Sequence, residues 1–250
     1  MRFFIRLSYL GQGLSGWQSQ QNAPSVQQSL EEALSIALGR PTEVVGAGRT
    51  DAGVNARDYF AHFDAEETDF KQPGHLIHKI NAILPRGIAV YGFYRVPQDA
   101  HARFDAVSRT YRYYLHTFKD PFATCSWYYT FPTDIEAMNR AAELLTGTRD
   151  FACFEKKGSD NRTTVCTVTD ARWEQPAPGR LVFTVSANRF LRNMVRAMVG
   201  TLLEVGRGRM APEDIPELLL SADRCRAGQS VPGEALFLEE IRYPYELLPI

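Results

Sequence analysis

Cysteine is scarce in this chain: four among 250 residues, Cys125, Cys153, Cys166 and Cys225, none paired at C-x-x-C spacing. That spacing argues against a structural zinc site and, with no export signal, against a disulfide framework. Histidine is nearly as sparse, at five. His75 and His78 lie three apart, but no other ligand-type pair accompanies them, so a solvated helix face explains them better than a metal. No run approaches the roughly 18 apolar residues that span a membrane. The start, Met1-Arg2-Phe3-Phe4-Ile5, is interrupted too soon by Arg6 to read as a signal peptide, and a cytoplasmic protein is expected. Charge of one sign is lacking too. Net charge is −1, with 10 basic and 11 acidic residues through Asp105 and 18 of each beyond it. Any site for a polyanion must therefore come from local clustering. Other catalytic templates fail as well: Gly46-x-Gly48 misses both the G-x-G-x-x-G and the P-loop spacing, and no G-x-S-x-G occurs.

What is present is ordinary globular composition, 44% hydrophobic and 23% charged, in a chain long enough for one large or two modest domains. Residues 2–9 alternate Phe3, Ile5, Leu7 and Tyr9 against Arg2, Phe4, Arg6 and Ser8, as a strand does. Residues 25–38 place Val26, Leu30, Ala33, Leu34 and Ala37 at helical spacing behind a Ser25 cap, and Gly39 stops them. Strands over 42–45 and 59–63, a helix over 74–84 and a strand over 88–96 complete a β-α-β-β-α-β order. The second half repeats that pattern without repeating any words: strand 107–118, helix 134–145, strands 163–173 and 181–187, helices 190–205 and 212–220, and strand 236–243. The expectation is an α+β protein of two ferredoxin-like domains, 1–105 and 106–250, with helices on one face of mostly antiparallel sheets.

Three clusters could carry chemistry. Asp51 sits on a Gly-rich turn between two strands, with Arg49 two residues away. A rigid scaffold presenting an ionisable group this way is how catalytic loops are built, although a lone Asp in a turn usually caps its own backbone. At 100° per residue, a helix over 190–205 puts Arg192 and Arg196, with Arg189 just ahead, on one side and Leu191, Val195, Met198 and Leu202 on the other. Gly200 continues the arginine side, which would let a ligand approach, and phosphate contact is the expected role. The third cluster interleaves His101, Arg103, Phe104, Arg109, Tyr111, Arg112, Tyr113, Tyr114 and His116, a mixture suited to unstacked bases and phosphates. Lys156 and Lys157 add a further basic spot.

The segments Tyr9-x-Gly11…Gly16-Trp17-Gln18-x-Gln20, Gly48-Arg49-Thr50-Asp51-Ala52-Gly53-Val54, Arg109-Thr110-Tyr111-x-Tyr113 and Phe190-Leu191-Arg192-Asn193-Met194-Val195-Arg196 occur in that order. Together with Lys157-Gly158-Ser159-Asp160 and Thr163-x-x-Cys166-x-Val168, they resemble the TruA family of tRNA pseudouridine synthases, over nearly the whole chain. The resemblance implies two ferredoxin-like domains joined in a continuous sheet. It also implies conversion of uridine to pseudouridine at positions 38, 39 and 40 of the tRNA anticodon stem-loop, by a homodimer without an organic cofactor. On matching positions, Asp51 resembles the catalytic aspartate and Tyr111 the tyrosine that stacks on the target base. Arg49 resembles the arginine that helps the uridine leave its stack, and Arg196 the cation that pairs with the aspartate. Arg189, Arg192, Arg109 and Lys157 are the expected further RNA contacts. The chain departs from the family pattern at Asn55, where His is common, at Leu10, where Asp often stands, and over Pro232-Gly233-Glu234-Ala235-Leu236. The alternative is a non-catalytic RNA-binding platform, for which an exposed carboxylate beside a phosphate site would be a liability.

Overall fold

Alternating Phe3, Ile5, Leu7 and Tyr9 form β1 (Arg2–Tyr9), and all four are buried. The structure, a computed structural model, describes residues 1–21, 23–159 and 161–250. Asp160, the last residue of the Lys157 motif, lies outside the described residues. The chain divides into two compact units, Met1–Val107 with Leu238–Ile250, and Ser108–Phe237.

In the first unit, β1 is followed by α1 (Val26–Leu38), β2 (Val45–Gly46), β3 (Asn55–Asp64), α2 (Pro73–Ile83) and β4 (Ile88–Arg95). The local reasons are conventional. Ser25 Oγ accepts the Gln28 N–H at 3.2 Å, satisfying an orphan donor at the start of α1. Pro73 opens α2, where its missing N–H costs nothing. Strand β1 pairs antiparallel with both β3 and β4, and β2 pairs with the outer part of β3, Val45 opposite His62. The helices bury Val26, Leu30, Ala33 and Leu34 from α1 and Leu76 and Ile80 from α2. Each large side chain so buried contributes roughly 1.5–3 kcal/mol.

The second unit begins with β5 (Ser108–His116) and the short β6 (Trp127–Tyr128), which lies parallel to it. Then follow α3 (Ile135–Glu143), β7 (Gly147–Asp150), β8 (Val165–Ala177), β9 (Arg180–Ala187), α4 (Met194–Gly206) and α5 (Ile215–Ser221). Its strands run β5-β9-β8-β7, each antiparallel to the next. Strand β10 (Leu236–Arg242) starts here, and Ala235, just ahead of it, accepts the Tyr114 N–H at 3.0 Å.

The helix expected over 190–205 is shorter at its start. It begins at Met194, and Asn193 before it holds the left-handed conformation at φ +67°. An α-helix cannot run through a left-handed residue, so Arg189 and Arg192 precede α4 and do not line its face. Helix α4 is buried on nearly every side, from Met194 and Val195 through Leu203, Val205 and Gly206. That is the signature of a core helix, not of one with a solvated arginine stripe.

Phe4 also departs from the simple alternation, being fully buried on the face opposite Phe3 and Ile5. The cover is aromatic: the rings of Tyr243, Tyr245 and Phe60 lie 5.0, 6.4 and 6.5 Å from its own. Tyr243 donates its hydroxyl to the Ala102 carbonyl at 2.7 Å, Tyr245 donates to Asp105 Oδ2 at 2.9 Å, and β11 (Leu248–Pro249) pairs with β4. These contacts are why the last residues group with the first unit, whereas a division after residue 105 assigned them to the second. Antiparallel strands with packed helices make both units α+β.

Candidate active site

Asp51 is half-buried at the tip of the β2–β3 connection, with exposed Arg49 before it. The loop between β1 and α1 holds this turn in place. Tyr9 Oη and Thr50 Oγ1 share a hydrogen bond of 2.9 Å, the Trp17 N–H donates to the Thr50 carbonyl at 3.4 Å, and the Gly53 N–H donates to the Leu14 carbonyl at 3.4 Å. Gly16 makes the approach possible. It adopts φ +89°, and a Cβ there would run into the Thr50 carbonyl. Beneath the turn, Trp17 stacks on Tyr59 with centroids 4.3 Å apart, and the Tyr59 hydroxyl bonds to the Gly48 backbone. Asn55 is buried, and its Oδ1 accepts the Gly11 N–H at 2.8 Å. The carboxylate is thus carried by a turn fixed at both ends and from below.

The second unit carries the remaining candidates. Tyr111 lies on β5 opposite Val185, 9% exposed, with the Phe190 ring edge-on at 5.1 Å. Arg196 lies in the first turn of α4, where its Nε donates to the Val231 carbonyl at 2.7 Å. Four expected RNA contacts gather around one residue and its neighbouring loop. The Asn188 carbonyl accepts Arg109 Nη1 at 3.0 Å, and Asn188 Oδ1 accepts the N–H groups of Arg189 and Thr167, each at 2.8 Å. Arg189 reaches Asn161 Oδ1 at 3.3 Å, and the carbonyl of exposed Arg192 accepts the Lys156 N–H at 3.0 Å. Lys157 Nζ donates to Cys225 Sγ at 3.5 Å. Arg109, Arg189, Arg192 and the lysine loop therefore form one basic cluster, built from strand ends and loops.

Arg207 and Arg209, just after α4, each pair with Glu204 at 3.5 Å, and the Arg207 guanidinium lies 3.9 Å above the Phe131 ring, so neither joins the basic cluster. Gly200 does permit close approach, but what approaches is the chain itself: a Cβ there would collide with the Gln229 carbonyl. The residues that the sequence reading passed over are Asn188, Tyr59 and the segment around Gln229. Only Tyr59 left a signal, as an aromatic in the strand that follows the Asp51 turn.

The buried thiols are poor nucleophiles. Burial pushes Cys153 up to about 12 and Cys166 up to about 11, far from the thiolate form at neutral pH. Among the described residues no group of three or more His, Cys, Asp or Glu could hold a metal ion, and no helix is long and apolar enough to cross a membrane.

A family model described as tRNA pseudouridine synthase matches residues 141–244, which points to the pseudouridine synthases as a class. The chain is 51% identical to a tRNA pseudouridine synthase A of Parabacteroides distasonis over 251 residues, covering 100% of this chain and 98% of that protein. It is 50% identical to one of Porphyromonas gingivalis over 248 residues, covering 98% of each. The chain belongs to the tRNA pseudouridine synthase A family. Among solved structures, a Cbf5-Nop10-Gar1 complex aligns with a TM-score of 0.37 and 10% identity over 80% of this chain and 45% of that one, too distant a likeness to carry any argument.

Proposed function

We propose that this protein isomerises uridine to pseudouridine at positions 38, 39 and 40 in the anticodon stem-loop of tRNA. The observation that carries the reading is 51% identity over the whole chain to a tRNA pseudouridine synthase A. A uridine in a stem must leave the helix before its glycosidic bond can be reached, and an aromatic face can hold the extruded base. Tyr111 is assigned that stacking role and Arg49 the role of helping the base out. Asp51 is the catalytic carboxylate. Attack by it, or proton removal, breaks the N1–C1′ bond while the base stays held and turns. C5 then bonds to C1′, C5 loses its proton and N1 gains one, so product and substrate are isomers. Arg196 is assigned to pair with the carboxylate, since a guanidinium matches carboxylate geometry. The cluster of Arg109, Arg189, Arg192 and Lys157 is assigned to phosphates.

Each unit is read as a ferredoxin-like domain, the first carrying the catalytic turn and the second the stacking tyrosine. The strand order β4-β1-β3-β2 in the first supports this, as does the antiparallel order β5-β9-β8 in the second. The working form is read as a cytoplasmic homodimer. The test uses unmodified tRNA tritiated at uridine C5, because tritium leaves only when C5 becomes the glycosidic carbon. Wild-type protein releases it without added metal or nucleotide. Asp51→Asn binds tRNA with unchanged affinity and releases at least about a thousandfold less, the usual scale for loss of a nucleophile. An Asp51→Asn protein with full activity would overturn the assignment. If the wild type binds tRNA without releasing tritium, a binding platform is the better reading.

A further inference from the structure

Helix α4 alone does not aim the Arg196 guanidinium. Residues 224–231 fold back along α4 and meet it backbone to backbone. A Cβ on Gly200 would strike the Gln229 carbonyl, and one on Gly228 would crowd the Gly200 backbone at 2.5 Å. Thr201 Oγ1 accepts the Gly228 N–H at 2.8 Å, fixing the far end of the contact. At the near end Val231 brackets Arg196. Its carbonyl accepts Nε at 2.7 Å, and its N–H donates to the Arg196 carbonyl at 3.3 Å.

Ser230, next to Val231, is the knot. Its Oγ accepts from Asn193 Nδ2 at 2.6 Å and from Arg224 Nη2 at 2.8 Å. Asn193 is the left-handed residue that starts α4, three positions before Arg196. Arg224 Nη1 also donates to the Gly228 carbonyl at 3.1 Å. One hydroxyl therefore joins the start of the helix, the turn of residues 224–228 and the peptide that grips the guanidinium. Removing it leaves two donors without this acceptor and lets the Val231 carbonyl drift.

We propose that Ser230 is a positioning residue for the isomerisation, holding the plane of the Arg196 guanidinium through the Val231 peptide. The proposal rests on the role assigned above to Arg196. Pairing of a planar guanidinium with a carboxylate depends on orientation, and a misplacement of about 1 Å in a reacting constellation can cost on the order of a hundredfold in rate. The effect falls on the chemical step and not on tRNA binding.

Single-turnover tritium release at saturating enzyme tests this on the full-length protein, alongside tRNA affinity and thermal unfolding. Ser230→Ala is expected to slow the step about tenfold with tRNA affinity within twofold of wild type, and Ser230→Thr, which keeps the hydroxyl, to recover to within about threefold. Ser230→Ala combined with Arg196→Ala should be no slower than Arg196→Ala alone. A Ser230→Ala protein at the wild-type rate overturns the proposal. So does a slow one whose loss follows weakened tRNA binding, one that Ser230→Thr fails to rescue, or a double variant several-fold slower than Arg196→Ala. If Arg196→Ala itself keeps the wild-type rate, the role of Arg196 falls and the positioning role with it. A slow Arg196→Ala beside a fast Ser230→Ala removes only the positioning role. If Ser230→Ala does not fold, Arg224→Gln, which weakens one of the two donors, is judged by the same outcomes.

Discussion

Asn55 shows how a single side chain can serve a site it never enters. Its buried Oδ1 holds the Gly11 N–H, tying the loop after β1 to the turn that carries Asp51. Asn55→Ala leaves a buried donor without that acceptor, a loss of about 1–3 kcal/mol that denaturant titration will measure. His62 is a second instance at this scale. Burial, then the charges of Arg2 and His101, hold its imidazole down at about 4 against an ordinary 6.5. Between those values the unfolded chain takes up a proton that the folded protein refuses. Stability is therefore full above about pH 6.5 and declines as pH falls towards 4. Unfolding midpoints should drop from pH 7 to pH 5, and His62→Gln should remove part of that slope; an unchanged slope would show that other groups set it. Asp51 was legible as a presented carboxylate because its flanking glycines are local. The work of Asn55 was not, because its partner lies 44 residues away in a loop that no periodicity describes.

Among the elements, α4 separates what pattern reveals from what contact decides. Its apolar residues repeat at helical spacing, so the helix itself was readable, as was the cap at Ser25. Its start was not. Leu191 continues the apolar repeat upstream, and only the left-handed Asn193 ends the helix there. The arginine stripe failed for the same reason: Arg189 and Arg192 belong to a cluster around Asn188 and the lysine loop, and only Arg196 of the three lies on α4. Exposed Arg192 remains part of that cluster, and the test of its role is electrostatic. Arg192→Glu is expected to weaken tRNA binding and lower the slope of log affinity against log salt by about 1. Binding curves at several salt concentrations check this, and identical slopes would take Arg192 off the RNA surface.

For the molecule as a whole, most of the strand and helix order, though not the short β6 and β7, could be read from alternation and helical spacing, because both halves bury faces with clear periods. The destination of the last residues could not. Tyr243 and Tyr245 look like ordinary strand-end aromatics, and only the folded chain sets them against Phe4. Tyr243→Ala removes a ring from that face and the hydroxyl bond to Ala102, and should destabilise by about 3 kcal/mol. Hydrogen exchange should show the loss in β1 and β3, with β8 and β9 retaining their protection. Equal loss in β8 and β9 would mean that the protein opens as one cooperative body.

That returning segment also bears on the order of synthesis. A ribosome makes residues 238–250 after the whole of the second unit, Ser108–Phe237. The second unit is continuous in sequence and can complete its core while the chain is still being made. The first unit is begun earlier yet finishes later, with Phe4 and Phe60 lacking their tyrosine cover until Tyr243 has been made. An aromatic face exposed for that interval is what a chaperone would bind in the nascent chain.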